Sequence, residues 1–252
     1  MVLSFGAVIE NASAEVVTWP AAQGTVATDG RYKVTVNGRP VDVVYIPKPC
    51  WHDDQLSGEE NLQPYYASFF DADEEVTVSV ESPKDLTNTR ILPTSRGIRP
   101  NVESAHRVTF RAKPPFNISF EPAPRHRALV FAANTPEKDV PAPDDAGVRY
   151  FAPGRYHFDE ILRIGSNETL YLAPGAWVEA AVQAIGTNIT IRGRGVLSGL
   201  CWDHYKGPCD GVMIRVGSDE ENPSCLANGI MVRDIAIVGS WAWTDTGRCP
   251  VP

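Results

Sequence analysis

Two short stretches concentrate the side chains whose types and spacing could do chemistry. Trp202, Asp203, His204, Tyr205 and Asp210 follow a turn at Gly199, and Trp241, Trp243 and Asp245 follow an apolar run. Aromatic faces can stack on sugar rings while neighbouring carboxylates and imidazoles bind hydroxyls, the usual make-up of a ligand site. Trp202, Asp203, His204, Trp241, Trp243 and Asp245 are therefore the candidate substrate-binding residues. Both stretches read as loops. For the first, a packing role competes: a loop laid on the chain below it and pinned by Cys201 and Cys209. Neither stretch identifies a catalytic acid.

Other constellations carry less. Cys50-Trp51-His52-Asp53-Asp54 mixes a thiol, an imidazole and two carboxylates. Its spacing fits no metal motif, no partner cluster recurs nearby, and loop composition explains it better. Arg192, Arg194, Arg215 and Arg233 could grip substrate carboxylates with planar guanidinium forks, or balance acids such as Glu179 and Asp234 on a solvated exterior. Gly193-Arg194-Gly195 lies between two apolar runs and opens no helix, so it lacks the context of a phosphate cradle. The five cysteines, Cys50, Cys201, Cys209, Cys225 and Cys249, contain no Cys-x-x-Cys pair. Two local C-terminal disulfides or buried thiols are both open, and at least one cysteine has no partner within the chain.

Whole-chain properties bound the answer. A 252-residue chain with 43% hydrophobic residues can bury a sizeable core as one large domain or two small ones. The formal charge of −8 argues against general nucleic-acid or anionic-membrane binding, which needs concentrated basic surface. No apolar run approaches the roughly 20 residues of a spanning helix. Sequons at Asn11, Asn117, Asn167 and Asn188 favour a secretory route, although the N-terminus carries no basic n-region of a signal peptide.

The elements that must position these residues are strands. Residues 14–133 hold short alternating runs such as Tyr32-Lys33-Val34-Thr35-Val36 and Val76-Thr77-Val78-Ser79-Val80, the period-two signature of half-buried strands. Asn37-Gly38 is a hairpin signal. No window sustains a helical period over three turns. Residues 1–135 are expected to form an antiparallel β-sandwich, and the proline-rich, charged 136–147 a linker or long surface loop. From 148 onward strands alternate with tight turns: Tyr150-Phe151-Ala152-Pro153-Gly154, Thr169-Leu170-Tyr171-Leu172-Ala173-Pro174-Gly175 and Ile189-Thr190-Ile191-Arg192-Gly193-Arg194-Gly195-Val196-Leu197-Ser198-Gly199. Phe151, Leu170 and Ile189 follow at 19-residue steps, and Ile230 lies 41 further on, about two such steps. That repeat predicts a solenoid whose coils bury their inner faces only by stacking. A parallel β-helix over 148–252 fits; a second antiparallel sandwich is the alternative.

These stretches resemble the opening coils of polygalacturonase- and dextranase-type glycoside hydrolases. The resemblance implies an all-β fold: a right-handed parallel β-helix, with a sandwich before it in the dextranase and isopullulanase group. It also implies hydrolysis of a polysaccharide, α-glucan or polygalacturonan, by paired carboxylates without metal or organic cofactor. A secreted monomer whose partner is its polysaccharide substrate is expected. The family's Asn-Thr-Asp, Asp-Asp, Gly-His-Gly and Arg-Ile-Lys motifs have no match in their proper places. Thr244-Asp245-Thr246 lacks the leading Asn, and Asp53-Asp54 and Asp144-Asp145 lie in the sandwich and linker. The four or five coils here compare with about ten in a full enzyme, so the catalytic acids are expected beyond residue 252. A non-catalytic glycan-binding or adhesion module, or an inactive shortened homologue, is the alternative.

Overall fold

The structure is a computed structural model that describes residues 14–47, 64–122, 128–202, 212–217 and 227–239, and the backbone of 243–245. Among the described residues the only helical element is a single 3-10 turn, Thr94–Arg96.

The first part of the chain supplies eleven strands: β1 (Val16–Val17), β2 (Lys33–Val36), β3 (Arg39–Val41), β4 (Val44–Ile46), β5 (Tyr65–Ala72), β6 (Val76–Glu81), β7 (Arg90–Leu92), β8 (Asn101–Ser104), β9 (Arg107–Ala112), β10 (Phe116–Glu121) and β11 (Leu129–Asn134). One sheet runs β3-β2-β6-β9-β8 and the other β1-β5-β11-β10-β7, with β4 also on β5. Val34, Val36, Val78, Val80 and Phe110 from the first meet Tyr66, Phe70, Ile118, Phe120 and Phe131 from the second in one dry core. Rings meet edge-on there, Phe110 and Phe131 with centroids 5.5 Å apart. Asn37 and Gly38 turn β2 into β3 with φ of 47° and 78°, the left-handed pair that a two-residue hairpin requires. The pairing departs from the all-antiparallel expectation at one place: β5 and β11 run parallel. More than fifty residues separate the two strands, so no hairpin dictates their direction.

From Val148 the chain winds through three sheets in turn. The strands are β12 (Val148–Phe151), β13 (Gly154–His157), β14 (Leu162–Ile164), β15 (Thr169–Leu172), β16 (Ala176–Glu179), β17 (Val182–Ala184), β18 (Gly186–Gly193), β19 (Val196–Ser198), β20 (Val212–Val216), β21 (Ala227–Arg233), β22 (Ala236–Val238) and β23 (Trp243–Asp245). Sheet orders β12-β15-β18-β21, β13-β16-β19-β22 and β14-β17-β20-β23, all parallel, define four rungs of a β-helix. Leu170, Leu172, Val178, Val182, Ile189, Ile191 and Leu197 fill the column.

The register corrects the sequence-derived repeat. Val148, Thr169 and Thr190 stack directly, a rung of 21 residues, and Leu170 lies between Arg149 and Ile191. A slip of two residues keeps the same strand face inward, so an apolar pattern alone cannot tell 19 from 21. The 41-residue step is likewise one rung, since Thr190 pairs with Met231. Its extra length lies in the connections that leave β19 and β20.

Close stacking explains one glycine. A Cβ on Gly193 would lie 2.0 Å from the Leu172 carbonyl oxygen, at φ 131°. At another corner Asn167 and Asn188 stack in the left-handed conformation, and Asn188 Nδ2 donates to Asn167 Oδ1 at 3.0 Å.

The sandwich docks on the outer face of the second helix sheet. Tyr65, Ala67 and Phe69 of β5 point away from the sandwich core and meet Trp177, Val196 and Val238. Arg194 crosses this junction: its Nε donates to both carboxylate oxygens of Asp71, at 2.9 and 2.8 Å, and its Nη2 to the Thr135 carbonyl. Both side chains are nearly sealed from solvent. The segment read as a linker lies against the first helix sheet, where Glu137 accepts from Tyr171 and Arg192.

Candidate functional site

A single corner of the β-helix, where the second sheet passes to the third, gathers the polar residues of interest. The chain turns it through residues 158–161, 180–181, 199–211 and 239–242 on successive rungs. His157 and Glu179 are in-register partners at the ends of β13 and β16, and Ser198 continues the row. Alternation with the inward Tyr156 and Val178 turns His157 and Glu179 to the outside.

Glu179 is the hub. Its side chain is 7% exposed. Arg155 donates to Oε1 from Nη2 at 2.5 Å and from Nε at 3.2 Å. His157 Nδ1 lies 3.1 Å from Oε2, while His157 Nε2 lies 3.0 Å from Oδ1 of the exposed Asp159. Hydrogen bonds to Asp159 and then Glu179 hold the His157 imidazole above its ordinary pKa. Cys201 reaches over from the third rung, and ligand atoms of His157, Glu179 and Cys201 all lie within 4.8 Å of one another. Burial, reinforced by the Glu179 charge, pushes the Cys201 thiol up to about 11. This thiol is protonated at neutral pH and is no nucleophile by itself.

The sequence-derived candidates fall on or beside this corner in chain order. Trp202 is half-buried; its amide donates to the Gly199 carbonyl and its ring packs on the column. Trp243 and Asp245 are not in a loop but in β23, opposite Val212 and Arg215 of β20. Parallel pairing with the rung below overrides the loop-like local composition. Asp203, His204 and Trp241 lie outside the described residues, as do Cys50, Cys209, Cys225 and Cys249; Cys201 is a free thiol. His157, Asp159 and Glu179 were missed because they lie 22 or fewer residues apart on different rungs. A 21-residue register would have aligned them.

The arginines are neither free substrate grips nor solvated exterior. Arg192 pairs with Glu137 at 2.8 Å, Arg194 with Asp71, and Arg233 with Asp234. Burial raises the Asp71 pKa even against the Arg194 charge. A second concavity of about 400 Å3 opens at the sandwich junction, with Trp19, Tyr65, Phe69, Asn117, Asn134 and Asp234 among its lining residues. Among the described residues no helix is long and apolar enough to cross a membrane.

No family model matches the sequence. The chain is 26% identical to isopullulanase of Aspergillus niger over a 251-residue alignment, which takes in 79% of this chain and 44% of isopullulanase. Dex49A from Penicillium minioluteum shares its fold with a TM-score of 0.62 over 90% of this chain and 58% of Dex49A, at 16% identity. The chain thus spans about half the length of these relatives. The shared fold is a β-sandwich leading into a right-handed parallel β-helix. In sequence and architecture together, the chain resembles the dextranase and isopullulanase group of glycoside hydrolases.

Proposed function

We propose that this chain is the sandwich and first coils of a secreted, monomeric glycoside hydrolase that acts on an α-glucan of the pullulan or dextran kind, with polygalacturonan as the next substrate class. In this reading the corner bearing Trp202, with Asp203, His204, Trp241, Trp243 and Asp245, contacts the glycan, and the catalytic carboxylates lie beyond residue 252. The observation that carries it is the extent of the isopullulanase alignment. An alignment taking in 79% of the chain exceeds either the sandwich or the β-helix alone, so the likeness spans both.

The physical chemistry is compatible with that division of labour. Inverting hydrolysis needs a protonated acid and a carboxylate roughly 6.5–9.5 Å apart, neither locked to a cation. The buried Asp71, Glu137 and Glu179 are each held by an arginine instead. That same observation supports a second reading, a glycan-binding module without catalysis. The two separate in one experiment. Affinity electrophoresis through dextran, pullulan and polygalacturonate is run beside reducing-sugar release by the chain and by the natural secreted product, whose intact mass is measured after deglycosylation. Retardation by an α-glucan, with sugar release only by a product heavier than 27.5 kDa, supports the hydrolase. Retardation with no release from a product of 27.5 kDa supports the module. No retardation in any gel contradicts both.

A further inference from the structure

The hydrogen-bond inventory around His157 does not close with neutral partners. The imidazole stands between two carboxylates, Glu179 Oε2 on Nδ1 and Asp159 Oδ1 on Nε2. A neutral ring has one N–H and can satisfy only one of them; the other contact then sets a nitrogen lone pair against a carboxylate oxygen. A cation belongs in that contact, and a proton or a metal ion serves. Three further features favour a metal. The Cys201 sulfur lies within 4.8 Å of both the His157 and Glu179 ligand atoms, and a thiol adds nothing to a proton-bridged pair. Arg155 occupies Glu179 Oε1, so the carboxylate offers Oε2 alone, as a monodentate ligand. Asp159 on Nε2 fixes the tautomer that bares Nδ1, the outer carboxylate that metal-ligating histidines commonly carry.

We infer that His157 Nδ1, Glu179 Oε2 and Cys201 Sγ form a binding site for a borderline-soft divalent cation of the zinc type, oriented by Asp159 and Arg155. Nitrogen, oxygen and sulfur donors together suit zinc; calcium and magnesium prefer all-oxygen shells. Zinc-ligand bonds of about 2.0–2.3 Å require the donors to draw in from their present spacing. Cys201 stands on the turn that carries Trp202, so closure draws that turn onto the first two rungs. The ion's role is to staple the corner, and it departs from the metal-free expectation. Binding displaces the thiol proton, so the site takes up metal as Cys201 becomes thiolate.

The test uses the full chain stripped with a chelator and titrated separately with zinc chloride and cobalt chloride. Expected are one equivalent of either metal, a near-ultraviolet thiolate-to-cobalt charge-transfer band, and a raised melting temperature with zinc. Cys201→Ser should abolish the band, and His157→Gln should weaken cobalt binding by about tenfold or more, on the scale of losing one metal-site contact. Cys209→Ser should leave both unchanged. His157 is partly exposed, so its variant tests the site even if Cys201→Ser folds poorly. A folded chain that shows no band, an undiminished band in Cys201→Ser, unchanged affinity in His157→Gln, or a band lost in Cys209→Ser overturns the inference. So does an intact-mass result placing Cys201 in a disulfide.

Discussion

The sandwich and the β-helix are built from strands of the same period and the same residue types, yet they bury them differently. In β2 of the sandwich, Lys33 is exposed while Val34 and Val36 are buried, the alternation of a sheet with one wet face. In β16 of the helix every residue of Ala176–Glu179 is buried. Its inner face packs in the column, and its outer face lies under β5 and Arg155. The difference also governs charge. Ion pairs within the sandwich, such as Lys33–Glu81 and Lys113–Glu74, are exposed and contribute little. Those at the helix, Arg194–Asp71 and Arg192–Glu137, are desolvated. Buried pairs fix geometry because losing either partner leaves an uncompensated charge.

Substitutions can break this contrast, and the largest effect belongs to a glycine. Gly193→Val puts a Cβ against the Leu172 backbone and should prevent the helix from forming, read as loss of soluble, cooperatively melting protein. Gly38→Ala, in the sandwich hairpin, meets nothing within 4 Å and should cost only about 1–2 kcal/mol, for its left-handed φ. Equal losses would mean that coil stacking is looser than described.

The junction comes next. Arg194→Ala should cost about 3–5 kcal/mol in denaturant unfolding, because Asp71 stays buried without its cation. Asp71→Ala should cost a similar amount, and the double variant clearly less than their sum. Strict additivity would show that the two residues do not act as a pair. Removing the exposed Lys33–Glu81 contact should cost under about 1 kcal/mol.

A pH effect is smaller. His157 has its folded pKa raised by Asp159 and Glu179. Its stabilising contribution is therefore complete below the unfolded value near 6.5 and disappears as pH rises through the folded value. With chelator present, His157→Gln should flatten that part of the melting-temperature profile, whereas His106→Gln in the sandwich should not. The smallest change is Asn188→Gly, which keeps the left-handed corner and loses one exposed hydrogen bond. It should shift stability by no more than about 0.5 kcal/mol. A larger shift would make the asparagine stack a structural element in its own right.

Much of the architecture was legible because it is local. The alternation in Lys33–Val36, the Asn37-Gly38 turn and the Pro-Gly corners after Phe151 and Leu172 each report short-range geometry. What depends on three-dimensional register was not legible. The apolar pattern is unchanged by a two-residue slip, so the 21-residue rung was read as 19, and the His157–Glu179 row went unseen. Trp243 and Asp245 looked like loop residues because only pairing with Val212 and Arg215 makes them a strand. Arg192 and Arg194 looked available because their partners, Glu137 and Asp71, lie 55 and 123 residues away.

The central claim is that the glycan meets the β-helix corner and not the sandwich. Hydrogen exchange of the full chain with and without an α-glucan oligosaccharide tests it most directly. The account predicts added protection in peptides covering 199–202 and 243–245, with the sandwich strands unchanged. Protection confined to the sandwich, with the corner unaltered at saturating sugar, would contradict it.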